Sequence, residues 1–251
     1  MKTAVIVSAR LNSKRLPRKA LVDIDGIPMV IHTCKRAALA KRVDVVYLAT
    51  DSQEIKAVGD HYGIPVIMTD SCHTNSSERA AEASQSIDAD IVVNVQGDEP
   101  LVYPDHIDQV LEPMFGDNPP LVAMGVTQFT KKNSLGDIKA VFDEKGKILY
   151  ASRHDIPCFF GQEEKPMWKM SFIVPFQKSV LQKYLVWKAT PLELIEDNHF
   201  LRIIENGIDI QAVVIDQAKI SVDSAEDLEE VRNEMKRDKI KKQYNQKETV
   251  E

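Results

Sequence analysis

Short apolar runs alternate with helix-like segments through the first half of the chain, and this alternation limits the fold more than any other feature. Strands are predicted at 3–8, 44–49, 64–68, 90–95 and 121–126. Helices are predicted between them at 28–41, 77–87 and 104–115. Parallel strands need such helical connections, and near-continuous apolar runs are typical of strands buried on both faces. The sequence therefore predicts an α/β sheet with helices on both faces.

The pattern changes at about residue 137. Apolar runs at 138–142 and 148–151 flank the turn Asp143-Glu144-Lys145-Gly146, which predicts a β-hairpin. Helices at 177–187 and 191–206, a strand at 210–215 and a helix from about 224 are predicted to follow. We interpret 1–235 as one domain with an insertion at about 137–190. Residues 236–251 are rich in Lys, Gln and Glu, which predicts a disordered tail.

Composition narrows the class of partner. The 251-residue chain has no apolar run of about eighteen residues and no signal-peptide pattern, so we expect a cytoplasmic protein without a membrane partner. Cys34, Cys72 and Cys158 are odd in number and far apart, which suits a reducing compartment. A net charge of -6 argues against nucleic acid. The expected partner is a small molecule.

A basic loop follows the first predicted strand. It carries five cations within ten residues, namely Arg10, Lys14, Arg15, Arg18 and Lys19. These charges repel one another in a structural turn, but at the carboxyl end of a parallel strand they can bind phosphate oxygens. A solvated basic turn is the alternative. Pro17, which restricts the loop, and the buried strand before it favour the phosphate site.

Two acidic segments suggest a metal site. The predicted strand at 90–95 is followed by Gln96, Gly97 and Asp98, which places Asp98 at the same sheet edge as the basic loop. Mg²⁺ binds through one or two carboxylates together with substrate phosphates, so Asp98 is a candidate ligand, and an ordinary turn residue is the alternative. Asp223 precedes a helix whose capping residue is Ser224. It has no capping role of its own, which makes it the candidate second ligand.

Six segments together resemble one known family. They are SARLNSKRLPRKAL, NSSERAAEA, VNVQGDEPLV, ILYASRHDIP, WKATPLELIE and SVDSAEDLEEVR, and their order is that of the 3-deoxy-manno-octulosonate cytidylyltransferases, or CMP-Kdo synthetases. The resemblance covers nearly the whole chain. It implies a Rossmann-like nucleotidyltransferase sheet whose insertion carries acceptor and homodimer contacts. It also implies coupling of CTP to the acidic sugar Kdo with Mg²⁺ and release of pyrophosphate, a step of lipopolysaccharide biosynthesis.

The same resemblance implies roles for individual residues. Phosphate binding and catalysis are implied for Arg10 and Lys19, and metal binding and catalysis for Asp98 and Asp223. Nucleotide binding is implied for Arg15, Ser77, Arg79 and Gln96 as well as for Arg10 and Lys19. Arg153, in the YASR segment, is expected to pair with the acceptor's carboxylate, since a guanidinium can bind a carboxylate through two hydrogen bonds.

Departures from the family pattern fall on the acceptor side. Met170 replaces the histidine of an R-H-x-G-I-Y segment, His199 begins what is usually E-Q-L-R, and Gly136 replaces an asparagine. Polar pockets discriminate strongly between substrates, so these changes predict altered acceptor contacts at Met170 and His199. Two alternatives stay open: the same chemistry on another small acid, such as a nonulosonic-type sugar or a phosphonate, and a non-catalytic nucleotide-binding relative. Intact Asp98 and Asp223 argue against the second. The sequence does not identify the acceptor.

Overall fold

The computed structural model describes residues 1–13, 15–161, 163, 165–216 and 218–245. The strands are β1 (Thr3–Ser8), β2 (Asp23–Ile24), β3 (Ile27–Pro28), β4 (Val45–Thr50), β5 (Val66–Met68), β6 (Ile91–Gln96), β7 (Val122–Phe129), β8 (Lys139–Phe142), β9 (Ile148–Ser152), β10 (Met167–Met170), β11 (Ile173–Gln177) and β12 (Ile210–Val214).

The α-helices are α1 (Met29–Ala37), α2 (Gln53–His61), α3 (Ser76–Gln85), α4 (Pro104–Leu111), α5 (Lys178–Tyr184), α6 (Pro191–Glu196), α7 (Leu201–Glu205), α8 (Ala225–Met235) and α9 (Lys241–Asn245). Short 3₁₀ helices lie at Lys19–Leu21 and Glu112–Phe115. Within the described residues, every helix is too short or too polar to cross a membrane.

One central sheet organises the molecule. Its strand order is β5-β4-β1-β6-β11-β7-β10-β8-β9, and β12 pairs with β7. Strand β1 is parallel to β4 and β6, as the alternating sequence pattern predicts. Strand β11 runs antiparallel between β6 and β7, so the sheet is mixed. The predicted α/β fold is confirmed, with the orientation of the second half added by the structure.

Helices cover both faces of this sheet because the strand side chains point alternately into two cores. Ala4 and Ile6 of β1 belong to the core that also contains residues of α3, α5 and α7. Val5 and Val7 belong to the opposite core, with residues of α1, α2 and α4. Since both sets are fully buried, the strand reads as a continuous apolar run rather than as an alternation.

The predicted hairpin is present as β8 and β9. It extends the main sheet through β10, with Lys139 opposite both Ser152 and Lys169. The turn between its strands uses Gly146, whose φ of 81° is a left-handed conformation. A Cβ atom there would also approach the Gln211 amide to 2.3 Å. The insertion is therefore continuous with the sheet.

Two predictions about the second half are wrong. The single helix expected at 191–206 is two helices, α6 and α7, because Asp197 adopts a left-handed conformation with φ 46° and ends α6. The disordered tail expected from residue 236 is wrong as far as residue 245. There α9 packs Tyr244 against α1, and Asp238 lies 3.0 Å from the buried Arg36 guanidinium. Residues 246–251 of that prediction lie outside the described residues.

Candidate functional site

The site lies where three parallel strands end. Ser8, the last residue of β1, is in register with Ala49 of β4 and Gln96 of β6. The basic loop leaves the sheet after Ser8, and the acidic turn leaves it after Gln96. Because parallel strands share their carboxyl edge, the two segments meet, as the sequence predicted.

Gly97 lets the acidic turn pass close to the basic loop. Its N–H donates to Ser8 O at 3.0 Å, and a Cβ atom at this position would lie 2.9 Å from the same oxygen. A side chain would therefore force the two strand ends apart. The backbone of the next residue, Asp98, accepts a hydrogen bond of 3.0 Å from Val222 N. This bond brings the segment before α8 to the same edge.

Lys19 joins the two predicted metal ligands. Its Nζ lies 2.6 Å from Asp98 Oδ2 and 3.2 Å from Asp223 Oδ1, and it donates to Val222 O at 2.8 Å. Arg15 Nη2 lies 2.7 Å from Asp223 Oδ1. Burial alone would lower the pKa of Lys19, but the charges and hydrogen bonds of the two aspartates raise it above its ordinary value. Four predicted site residues are thus in contact.

The donor set of this cluster fits a divalent cation. Asp98 Oδ1 is buried and has no hydrogen-bond partner within the described residues, so one carboxylate oxygen is available to a further positive charge. Asp98 and Asp223 offer the hard oxygen ligands that Mg²⁺ prefers. The described residues contain no cluster of three or more Asp, Glu, His or Cys side chains suited to a metal. Substrate oxygens and water would have to complete the coordination.

Glu99 adds a third carboxyl group beside Asp98 and Asp223, and the sequence analysis assigned no role to it. Ser221 Oγ donates to it, and it lines a small cavity together with Lys169 and Ser171. Burial, followed by the nearby Asp98 charge, raises the pKa of Glu99 to about 8. The position of Glu99 immediately after Asp98 was the one sequence signal for a role at the site. The sequence did not predict whether its side chain points toward the aspartates or into a cavity, because that depends on the tertiary structure.

The remaining residues of the basic loop have different environments. Arg10 is exposed and forms no ion pair with any described residue. Arg18 is exposed, has a left-handed φ of 57° and pairs with Glu54. Lys14 lies outside the described residues. Gln96 is half-buried at the end of β6. Arg10 is therefore the described loop cation with its charge still available to a ligand.

The predicted nucleotide residues of α3 point inward. Ser77 is fully buried, and Arg79 donates to Thr69 Oγ1 and lies 3.5 Å from Asp51 Oδ2. Their neighbour Ser76 lies at the sheet edge instead, where its carbonyl accepts a 3.2 Å hydrogen bond from Ser8 Oγ. Sequence reasoning missed Ser76, although it precedes both predicted residues.

A polar cluster extends from this edge to the predicted acceptor side. Asn94 Nδ2 donates to Ser76 Oγ at 3.1 Å, and His199 Nε2 lies 3.4 Å from the same oxygen. Burial, followed by the charge of Arg202, lowers the pKa of His199 to about 3, so its imidazole is neutral at pH 7. The His199 ring centroid lies 4.1 Å from that of Phe200, which stacks on Phe172. His199 therefore adjoins the site edge.

Met170 and Arg153 are held by the insertion. Met170 is buried at the end of β10, opposite Val126. Arg153 donates from Nε to Glu196 O at 2.8 Å, from Nη1 to Leu135 O at 2.9 Å and from Nη2 to Asp197 O at 2.7 Å. The structure gives Arg153 no contact with Asp98 or Asp223. It fastens the loop between α6 and α7, directly before His199.

Arg202 is a buried cation that sequence reasoning did not select. It lies 2.6 Å from Glu193 of α6 and 2.9 Å from Glu78 of α3, and its guanidinium packs on the Tyr184 ring at 4.6 Å. Tyr184 in turn donates to His199 O at 3.0 Å. The network joins the helix after the nucleotide turn to the helices beside His199.

The chain is similar to known proteins in both sequence and fold. The family model described as cytidylyltransferase matches residues 4–210. Two proteins named 3-deoxy-manno-octulosonate cytidylyltransferase, from Pelodictyon phaeoclathratiforme and Chlorobium phaeovibrioides, are 38% and 36% identical, over 92% and 95% of this chain and 96% and 99% of their own lengths. The solved CMP:2-keto-3-deoxy-manno-octonic acid synthetase complexed with CTP superposes with a TM-score of 0.90 at 30% identity. That match covers 94% of this chain and 99% of the other.

Proposed function

Since this chain belongs to the cytidylyltransferase family, we propose that it couples CTP to an acidic sugar of the Kdo class, giving the CMP-sugar and pyrophosphate. The observation that carries the proposal is the contact of Arg15 and Lys19 with Asp98 and Asp223 at the edge of β1 and β6. The relatives named for this activity, and the similar structure solved with CTP, support the same assignment. The reaction would belong to lipopolysaccharide biosynthesis.

Cytidylyltransferases generally use a divalent metal ion. We propose Mg²⁺, with Asp98 and Asp223 as its protein ligands, because both offer carboxylate oxygens and Asp98 Oδ1 has no partner within the described residues. When bound, such an ion neutralises negative charge on the phosphates.

The proposed chemistry is an in-line transfer. The acceptor's anomeric hydroxyl oxygen forms a bond to the α-phosphorus of CTP and loses its proton, while the bond from the α-phosphorus to the bridging oxygen breaks and pyrophosphate leaves. Arg10, Arg15 and Lys19 would bind the phosphate oxygens and stabilise the departing charge. This direct transfer needs no covalent intermediate on the protein, so it depends on positioning and electrostatics.

Residues at the end of β6 and the start of α3 would complete the nucleotide site. We propose that Gln96, half-buried at the strand end, contacts the nucleotide directly. Ser77 and Arg79 would act by fixing the start of α3, because both are buried and Arg79 is bonded to Thr69 and Asp51.

The acceptor would bind between the sheet edge and the insertion. We propose that Arg153 pairs with its carboxylate, exchanging the exposed Asp197 carboxylate that now lies 3.2 Å from Nη2. Met170 and His199 would line the same pocket. Met170 lines the cavity beside Glu99 with a side chain that offers no strong hydrogen bond, which favours a second candidate, the same transfer to a different small acid.

A homodimer and a cytoplasmic location complete the proposal. Leu194 and Ile195 on α6 are 69% and 77% exposed, and Leu149 on the edge strand β9 is 54% exposed. Leu194 and Ile195 are adjacent on α6, and exposed neighbouring apolar residues of this kind are found at association surfaces. The cytoplasm is the compartment of the nucleotide substrate.

A pyrophosphate-release assay tests the function. Purified protein is incubated with CTP, Mg²⁺ and, separately, Kdo, other nonulosonic-type sugar acids and a phosphonate, each with a chelator control. We expect release with CTP and a sugar acid, abolished by the chelator. If none of the acids supports pyrophosphate release, and calorimetry gives equal affinities for CTP, ATP and GTP, the assignment is wrong.

A further inference from the structure

The ammonium group of Lys19 occupies the position between the proposed metal ligands. It contacts three oxygens, from Asp98, Asp223 and the carbonyl of Val222, at 2.6, 3.2 and 2.8 Å. An ammonium has three hydrogen-bond donors, so all of them are used. In this state Lys19 serves the carboxylates and has no donor left for a phosphate.

The carboxylates need a cation to lie so close to each other. Asp98 and Asp223 come from segments far apart in sequence, and like charges at short distance repel strongly in a partly buried site. Arg15 contacts only Asp223. Among the described residues, Lys19 alone contacts both carboxylates. It therefore keeps the pair assembled in the free protein.

A metal ion bound at the unpaired Asp98 Oδ1 and at Asp223 would lie beside the Lys19 ammonium, which holds Asp98 Oδ2 and Asp223 Oδ1, and the two positive charges would repel each other. The Lys19 side chain is only 14% exposed, so an ammonium that lost both partners would be poorly compensated by water. A triphosphate supplies oxygens that can replace the lost partners. Displacement of Lys19 is therefore favourable only when metal and nucleotide are both present.

We infer that Lys19 is a placeholder cation: it holds Asp98 and Asp223 together in the free protein, opposes binding of a metal ion alone, and makes metal and CTP bind cooperatively. The inference rests on the proposed function, because it takes the two aspartates as metal ligands. Lys19 acts in it as a positioning residue before it becomes a phosphate ligand.

The decisive experiment measures Mn²⁺ binding without nucleotide. Electron paramagnetic resonance titration compares the wild type with Lys19→Met, which removes the ammonium and keeps most of the side-chain volume. We expect Lys19→Met to bind Mn²⁺ more tightly by roughly five- to a hundredfold, the usual range for coupling between sites. Lys56→Met is the matched control, since it removes a lysine that pairs with the exposed Asp60. Its Mn²⁺ affinity should equal that of the wild type.

Thermal unfolding provides a second readout. Without metal, Lys19→Met should melt below the wild type because Asp98 loses its positive partner and Asp223 keeps only Arg15. Mn²⁺ should raise the Tm of the variant by more than it raises the wild-type Tm. A purely structural lysine would give the first change without the second. Lys19→Gln, which is neutral but retains donors, should give intermediate values and serves if the methionine variant does not fold.

Unchanged or weaker Mn²⁺ binding by a folded Lys19 variant overturns the inference. Turnover of CTP by the wild type is measured separately, so the two proposals can fail independently. An active wild type with no tightening in the variant would leave the proposed function intact and remove the placeholder role. A wild type inactive with every acid would contradict the function, while the Mn²⁺ comparison would still decide the role of Lys19.

Discussion

At the scale of single residues, the proposed metal site depends on the Asp98 carboxylate, which has one oxygen in an ion pair and one oxygen without a hydrogen-bond partner. Lys19 neutralises Oδ2, and Oδ1 is buried without a hydrogen-bond partner in the described part of the chain. An unsatisfied buried carboxylate oxygen is costly for stability, and the proposed metal ion would remove that cost. The backbone of Asp98 is fixed independently by Val222 N. The side chain can thus be changed without loss of the turn.

Asp98→Asn should lower turnover by on the order of a hundredfold or more, because the amide keeps the shape but removes the negative charge offered to the metal ion. Steady-state pyrophosphate release measures this loss. The free energy of unfolding should change little, since the backbone bond to Val222 remains. Asp60→Asn, at an exposed position, is the control. An Asp98→Asn enzyme with wild-type turnover and an unchanged metal requirement would refute a catalytic role for Asp98.

The sequence predicted that the basic loop and Asp98 meet, because both follow strand ends and parallel strand ends share one edge. It selected Asp223 as a second metal ligand but did not predict its contacts with Arg15 and Lys19. It did not predict that Arg79 would point toward Thr69 and Asp51. That choice depends on packing between α3 and β4, which local patterns do not contain. The bonds of Arg153 to the end of α6 were likewise beyond reach, because the break at Asp197 lay inside a predicted helix.

At the scale of elements, Arg202 joins three helices into one unit. It pairs with Glu78 of α3 and Glu193 of α6 from its position in α7, and all three side chains are largely enclosed. Removal of one partner from a buried group of charges leaves the others uncompensated. The relative placement of the nucleotide turn and His199 therefore depends on a single guanidinium.

Arg202→Met should lower the free energy of unfolding by about 3–5 kcal/mol, the usual cost of leaving buried charges unpaired. Urea denaturation measures the change. Lys147→Met removes an exposed pair with Asp209 and should lower the free energy of unfolding far less, because solvent screens such pairs. Equal losses in the two variants would mean that the Arg202 network contributes no more than a surface pair.

Strands β10 and β11 show where sequence patterns fail at this scale. Strand β11 contains Pro175, which has no N–H for a ladder and argues against an internal strand. It is nevertheless enclosed, because β6 and β7 pair with it from both sides. The hairpin β8–β9, with a standard turn between alternating segments, was predictable from local sequence alone.

At the scale of the whole molecule, the C-terminal segment closes against the first helix. Tyr244 Oη lies 2.7 Å from His32 Nδ1, and His32 Nε2 lies 2.7 Å from Ile24 O. Burial is the main factor that lowers the pKa of His32 to about 4. The last described helix is thus joined to α1 and to β2 through a neutral histidine.

Acidification should therefore destabilise the protein through His32. The unfolded chain takes up a proton below its ordinary pKa of about 6.5, whereas the folded protein does so only near pH 4, so the free energy of unfolding falls as the pH drops through this window. Between pH 7 and 5 the loss should exceed that of His32→Gln by about 2 kcal/mol in urea denaturation. Protonation of His199 contributes equally to the pH dependence of the wild type and of His32→Gln, so it cancels in the comparison. Identical pH slopes would contradict the assignment.

The path of the chain between β7 and β11 affects how the choice of acceptor can evolve. After β7 the chain makes an excursion to the far edge of the sheet, where β8, β9 and β10 extend it, and then returns beside β6 as β11; Arg153 and Met170 belong to this excursion. Under the proposed function, this excursion holds much of the acceptor pocket, while Lys19, Asp98 and Asp223 lie outside it. Mutations can accumulate in the excursion without touching the phosphate chemistry. The choice of sugar acid can therefore change by mutation independently of the capacity to activate it, although both belong to one domain.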